Sequence, residues 1–450
     1  MGEAALPQSF CLGPDFRATI AVVISKQLLA DGVQVLIVRA LTLVGTAAVS
    51  ILVSRTLGPE GRGIYVIPGI TAAFFATLFA GLSTAVSSVM LKENAGRGAL
   101  RAGLIAAVPL VAIGSIAAAA SAIAMHVAWA APYAAAVLPF MALSAIVNGY
   151  GYGIRRVRAV AAFSMAAPLV TLCLLAVGLF TFGFSPHVAI PMWFAANALV
   201  GLSGFTVMLW SSRALPRVRV PTWPFLTYAL RVGATGLISM LNYRVDLYIV
   251  AALTPHRDLG FYTTAISAAE TLLVAAQVAS IVTVPHIGSL SREEAAELTA
   301  RCVRNNLIFV GTCGIAAAVI APYAVSLLYG AAFMPAVTPL RILLCGIVPW
   351  SAASMISSYF TLNGRKPQVA LTTAAGSALA CAAISLVLVP RMGITGAAIA
   401  TTVTYSLSVL VMVAYFSRQT RIPIAQILLF QSDDFRGYRR IALSFRRSGT

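Results

Sequence analysis

Long apolar runs, broken by short polar stretches, fill this chain almost from end to end. Twelve such runs stand out: 33–54, 64–90, 102–125, 132–152, 159–183, 188–211, 225–252, 261–287, 306–328, 336–361, 367–389 and 394–417. A helix needs about 20 apolar residues to cross a bilayer, and each run reaches that length. Strands of a membrane barrel would alternate apolar and polar at every second position, and these runs do not. The pattern predicts an all-α polytopic membrane protein with twelve transmembrane helices. Composition agrees, since 60% of the 450 residues are hydrophobic and only 10% are charged.

The charges that remain sort by side. Loops joining runs 2–3, 4–5, 6–7, 8–9 and 10–11 carry fourteen Lys and Arg, among them Lys92, Arg97, Arg101, Arg219 and Arg304. The six alternate loops carry four: Arg55, Arg62, Arg257 and Arg391. Basic residues collect on the cytoplasmic side, so both termini are expected there. The net charge of +18 is thereby explained by topology, without nucleic acid as a partner. Residues 1–32 show no apolar core before a cleavage site and are expected to be a cytoplasmic lead-in. The basic tail, 418–450, suits the anionic inner leaflet.

The pattern also repeats. Leu57-Gly58-Pro59-Glu60-Gly61-Arg62-Gly63-Ile64-Tyr65 follows run 1, and Leu253-Thr254-Pro255-His256-Arg257-Asp258-Leu259-Gly260-Phe261-Tyr262 follows run 7. Leu, Pro, Gly and Tyr recur at an offset of 196 or 197 residues. An offset spanning six helices predicts two pseudo-symmetric six-helix bundles of the same orientation, with a cavity between them as the usual place for a substrate. The expected layout is an N-terminal half at 33–212, a linker at 213–224 and a C-terminal half at 225–417.

A charge inside a span costs about 2.5–3.5 kcal/mol on insertion scales. Six fall within the runs: Arg39, Arg231, Arg244, Asp246, Glu270 and Arg341. Arg39 and Arg231 are expected near the cytoplasmic mouth, either facing each other across the repeat axis or snorkelling to headgroups. Arg244 lies deeper, and an Arg fork suits a pyrophosphate. Its i+2 neighbour Asp246 does not share its helix face, so Asp246 is expected to bond another helix or act in gating. Glu270 is the acid of run 8, placed to pair with Arg244 or to take up a coupling proton. Arg341 is expected near the outer face, snorkelling or facing substrate. The six cysteines show no ligand spacing and read as small core residues. Neither a Gly-Lys phosphate loop nor a spaced His cluster occurs, so no cofactor, metal or enzymatic activity is expected.

These residues resemble a known family. The turn Leu57–Tyr65, the stretch Asn242-Tyr243-Arg244-Val245-Asp246 with Leu259-Gly260-Phe261-Tyr262, and the pieces Tyr329–Phe333 and Leu362–Arg365 are similar to patterns of bacterial Wzx-type oligosaccharide flippases of the MOP superfamily. The resemblance covers about 33–417. It implies translocation of an undecaprenyl-pyrophosphate-linked oligosaccharide across the bacterial inner membrane for surface polysaccharide synthesis. It also implies substrate contacts at Asn242 and Tyr243, and membrane lipids and other polysaccharide assembly proteins as partners. Rival readings are a drug or cation exporter of the same superfamily, a lipid II flippase, and a polytopic polysaccharide polymerase. Run 1 carries Arg39 and no acid, unlike typical drug exporters of that type. The exterior loops are too short for the large catalytic loop of a polymerase.

Overall fold

A computed structural model describes residues 14–93, 96–216, 218–364, 366 and 368–429. Side chains are described in the first helix at Val38 and from Leu41 on, and are not described at 274–289. The described chain is helical almost throughout: α1 (Pro14–Glu93), α2 (Gly96–Ala124), α3 (Ala131–Ala136), α4 (Leu138–Gly153), α5 (Val157–Phe182), α6 (Pro186–Ser211), α7 (Thr222–Leu253), α8 (His256–Ser289), α9 (Arg292–Tyr329), α10 (Val337–Leu362), α11 (Gln368–Thr420) and α12 (Ile424–Leu428). Among the described residues, nine helices are long and apolar enough to cross a membrane. Large apolar side chains such as Ile116, Val177, Leu202, Ile315, Leu379 and Leu410 are exposed on the outside of several helices. In water such a surface would aggregate; in a bilayer it is solvated.

Two helices are too long for a single pass, and each is broken by one glycine. Gly58 sits at φ 68° in α1 and Gly393 at φ 58° in α11, a region an L side chain rarely adopts. In a straight helix, residues twelve apart are about 18 Å apart. Yet Arg62 Nη1 donates to the Ser50 carbonyl at 2.9 Å, so the chain doubles back at Gly58. In α11 the Cys381 Sγ and Thr401 Oγ1 lie 3.8 Å apart, which requires the same reversal at Gly393.

Three expectations from the sequence need correction. The turn placed at 55–63 between two separate runs is helical except at Gly58, because a single left-handed residue makes the reversal. The run placed at 306–328 begins much earlier, at Arg292. There Ser291 Oγ accepts from the Glu294 amide while the Glu294 carboxylate accepts from the Ser291 amide, a capping box that starts a polar helical stretch ahead of the apolar one. The cysteines are not uniformly core residues: Cys381 is buried, but Cys173 and Cys345 are exposed. An apolar outer surface accepts a thiol as readily as the interior does. Cys11 lies outside the described residues.

The buried apolar residues form separate clusters. One gathers residues from 72 to 229, including Phe79, Leu138 and Ile146. The largest runs from Leu247 to Ile427 but also takes in Ile67, Met125, Val127, Ala130 and Ile190. Those five lie toward one face of the molecule, the face carrying the Gly58 break and the α7–α8 turn. It is called the seam face below.

Candidate functional site

At the seam face the two repeats touch. A Cβ added to Gly63 would lie 1.8 Å from the His256 carbonyl oxygen, and one added to Gly260 would lie 1.9 Å from the Pro59 carbonyl oxygen. Backbones approach this closely only where neither residue carries a side chain. The contact is reciprocal, Gly63 against His256 and Gly260 against Pro59. Beneath it, α1 and α7 run side by side: Tyr248 Oη donates to the Ile70 carbonyl at 2.9 Å, and a Cβ on Gly81 would meet the Ala229 carbonyl at 2.0 Å.

Arg62 locks this seam. The sequence reading placed it in an exterior loop; it is instead 3% exposed. Its Nε donates to Thr263 Oγ1 at 3.2 Å and its Nη2 to Ser267 Oγ at 3.4 Å, both on α8. Its Nη1 donates to the Ser50 carbonyl and to Ser54 Oγ on α1. The Tyr329 ring, at the end of α9, lies under the guanidinium with its centroid 5.5 Å away. A planar fork with five donors can hold four oxygens on two helices at once. Arg55 adds a second clasp. Its Nε donates to the Leu328 carbonyl at 2.9 Å and its Nη2 to the Leu327 carbonyl, placing a cation at the negative end of α9.

Deeper in the C-terminal half, α7, α8, α10 and α11 enclose the polar groups singled out in the sequence. Arg244 Nη2 and Glu270 Oε2 form an ion pair at 2.9 Å, with side chains 27% and 33% exposed. Asp246, two residues on and on a different face, is 3% exposed. It accepts from the Leu247 amide at 2.8 Å, from Thr401 Oγ1 at 2.7 Å and from Tyr262 Oη. Asp246 therefore ties α7 to α8 and to the second arm of α11, while the Arg244–Glu270 pair stays accessible.

Beside the pair lies a cavity of about 320 Å³, lined among others by Ser239, Asn242, Tyr243, Trp350, Ser354 and Thr373. Tyr243 and Leu273 also line a small void of about 30 Å³ that reaches Asp246 and Glu270, so the two spaces adjoin. Two rings, Tyr243 and Trp350, stand on one wall, with Tyr405 behind them. Trp350 stacks on Tyr405 with centroids 4.6 Å apart, and Tyr243 meets Trp350 edge to face at 5.7 Å. The cavity lies on the side of Arg244 away from the seam, because α7 runs toward the seam face and Ser239 and Asn242 precede Arg244 on it.

The structure thus brings together Asn242, Tyr243, Arg244, Asp246 and Glu270. It does not gather the remaining arginines there. Arg231 is exposed on α7, thirteen residues or about 20 Å of helix from Arg244. Arg341 is engaged with α9, its Nε donating to the Ala318 carbonyl at 2.9 Å. Arg39 lies on α1, but its side chain is outside the described residues. Among the described residues, no group of three or more His, Cys, Asp or Glu could hold a metal ion. The sequence reading counted Arg62 only as a loop charge, and it did not pick out Trp350, Tyr405 or Thr401 as site residues, which carry no charge to draw attention.

No protein-family model matches this chain, and no curated protein matches it. Solved structures do match in fold. One is the inward-facing conformation of a multidrug resistance MATE family transporter of the MOP superfamily. It is 16% identical, with 85% of this chain and 94% of that one covered and a TM-score of 0.72. Another is the lipid II flippase MurJ in an inward closed conformation, 14% identical, with 88% and 89% covered and a TM-score of 0.73. An outward-facing MATE family transporter, 16% identical with 87% and 94% covered, gives 0.63. At these identities the likeness is one of fold: the chain has the fold of MOP-superfamily transporters.

Proposed function

We propose that this protein is a flippase of the bacterial inner membrane, working by alternating access on an undecaprenyl-pyrophosphate-linked oligosaccharide. On this reading the chain makes twelve spans, with α1 and α11 each supplying two and α8 one. The halves are 33–212 and 225–417, joined by a linker at 213–224, and both termini are cytoplasmic. The seam face is the exterior side, sealed in this conformation by Arg62, Arg55 and the Gly63–Gly260 contact.

One observation carries the reading: the Arg244–Glu270 pair, a third or less exposed, beside an open cavity in the membrane interior. A buried Arg is expensive without a partner. Glu270 supplies that partner while the site is empty, and a pyrophosphate replaces it with two parallel charge-assisted hydrogen bonds. The polyprenyl chain stays in lipid while the headgroup enters from the side opposite the seam. Breaking the seam then opens the exterior side, and the change of accessible side moves the headgroup across.

A specific feature favours a second reading, an exporter of organic cations. Glu270 stands near Tyr243, Trp350 and Tyr405, and aromatic faces with a carboxylate suit a cation. Binding to the purified protein in lipid nanodiscs separates the two. The flippase reading expects polyprenyl pyrophosphate to bind and ethidium not to; the reverse result would replace it with the exporter.

A further inference from the structure

Four of the five Ser and Thr hydroxyls around the 320 Å³ cavity, all but that of Ser357, are already committed as donors. Ser239 Oγ donates to the Thr235 carbonyl at 3.2 Å, Ser351 Oγ to Val348 at 2.7 Å, and Thr373 Oγ1 to Val369 at 2.7 Å. Ser354 Oγ donates to the Ser351 carbonyl at 3.1 Å. Each is a bond back to the preceding turn of its own helix. A hydroxyl has one proton and two lone pairs, so what these side chains have left to offer is acceptor capacity.

Asn242 adds to this. It is 3% exposed, lines the cavity, and its Oδ1 has no hydrogen-bond partner among the described residues. A buried amide oxygen left unpaired costs about 1–3 kcal/mol; this one is closed off from the cavity as it stands, and a donor in the cavity pairs with it once the amide turns over. Tyr243 Oη accepts from Trp350 Nε1 at 3.2 Å, which leaves its own proton to give. No charged side chain lines the cavity; Glu270 lines the adjoining small void, and Arg244 is joined to it by their ion pair. The space is therefore neutral, offers several acceptors alongside the Asn242 amide, Ser357 and Tyr243 protons, and is walled on one side by aromatic rings.

That combination matches a neutral polyol. A sugar ring carries several hydroxyl donors around its rim and an apolar face of C–H groups that lies flat against an aromatic ring. A lipid tail would leave the acceptors unpaired, and a phosphate brings acceptors of its own. We propose that this cavity within the C-terminal half is a sugar subsite. It takes the sugar unit nearest the pyrophosphate, with Asn242, Ser239 and Thr373 accepting from its hydroxyl or acetamido groups and Trp350 beneath it. The proposal rests on the flippase reading for the identity of the attached headgroup. Its placement follows from adjacency, since Tyr243 and Leu273 line both the cavity and the void that reaches Glu270, the ion-pair partner of Arg244.

The test compares two lipids on the full-length protein in nanodiscs: polyprenyl pyrophosphate alone, and the same lipid bearing one N-acetylhexosamine. Fluorescence of Trp350, with the other four tryptophans changed to Phe, reports occupancy. Two or three neutral hydrogen bonds are worth about tenfold or more in affinity. The glycosylated lipid is expected to bind at least that much more tightly and to shift Trp350 emission. In Ser239→Ala and Thr373→Val, conservative changes that keep the helices, the ratio falls to within about threefold. Asn242→Leu abolishes it. Equal binding of both lipids to the wild type overturns the sugar subsite and leaves the flippase reading standing. A preference for the glycosylated lipid that survives all three variants places the sugar elsewhere and also overturns it. Failure of both lipids to bind, with ethidium binding, overturns the flippase reading itself.

Discussion

Gly63 and Gly260 meet backbone to backbone, each standing against the other's repeat: Gly63 against His256, Gly260 against Pro59. A methyl group at either position would fall about 1.8–1.9 Å from a carbonyl oxygen of the opposite segment. Nothing flexible is available to give way, so the two halves would have to part. Overpacking costs typically about 1–3 kcal/mol, and each 1.4 kcal/mol is tenfold in a population. Gly63→Ala is therefore expected to lower the sealed state by roughly five- to hundredfold. The readout is labelling of a cysteine placed at the buried Ala265 of α8, in a background without the native cysteines, by a membrane-impermeant maleimide added from outside. Unchanged labelling would contradict the seam.

Arg62 makes a second, separable contribution. Hydrogen bonds to charged groups are worth about 1.5–3 kcal/mol, and this side chain joins α1 to α8 through four acceptors. Arg62→Gln should lower the thermal midpoint in detergent and raise the same cysteine's labelling. Arg55→Gln, whose bonds lie at an exposed site, should do less of both. Equal effects from the two would remove Arg62's special place.

Arg244 and Glu270 should behave oppositely although they form one pair. Losing charge-assisted bonds to the substrate costs about 1.5–3 kcal/mol, so Arg244→Ala is expected to cut flipping by roughly ten- to hundredfold. Glu270→Gln removes the anion that competes with pyrophosphate, and should lower the half-saturating substrate concentration. Initial rates over a range of substrate concentrations check both. Full transport by well-expressed Arg244→Ala would sink the role given to Arg244.

Asp246 is expected to be structural. Its carboxylate takes bonds from Tyr262, Thr401 and the Leu247 amide, and Asp246→Asn turns one acceptor oxygen into a donor facing donors. The cost is about 1–3 kcal/mol, visible as a lower thermal midpoint with lipid binding retained. A variant of wild-type stability that fails to transport would instead place Asp246 in coupling.

Much of this was legible in the residues because the bilayer leaves few options. Apolar length placed the helices, and the Gly–Tyr repeat marked the segments that meet at the seam. Rarity of charge led to Arg244, Asp246 and Glu270, and the i, i+2 argument separated Asp246 from Arg244's face. Three-dimensional neighbours were less visible. At the repeat offset Arg62 falls opposite Leu259, which is fully buried, and that mismatch was the available sign that Arg62 is not a loop residue. It was obscured because a reversal made by Gly58 alone looks, in sequence, like a nine-residue polar turn. Trp350 and Tyr405 are ordinary apolar-run aromatics, and only the packing of α10 on α11 stacks them.

The central claim, transport of a lipid-linked oligosaccharide, is tested most directly in liposomes containing this protein alone. A fluorescent polyprenyl-pyrophosphate oligosaccharide is placed in one leaflet, and a membrane-impermeant quencher is added to the other side after incubation. Quenching that grows with time in protein-containing vesicles and is absent from protein-free ones is the result expected. Intact, correctly reconstituted protein that leaves the label unquenched across several glycans would contradict it.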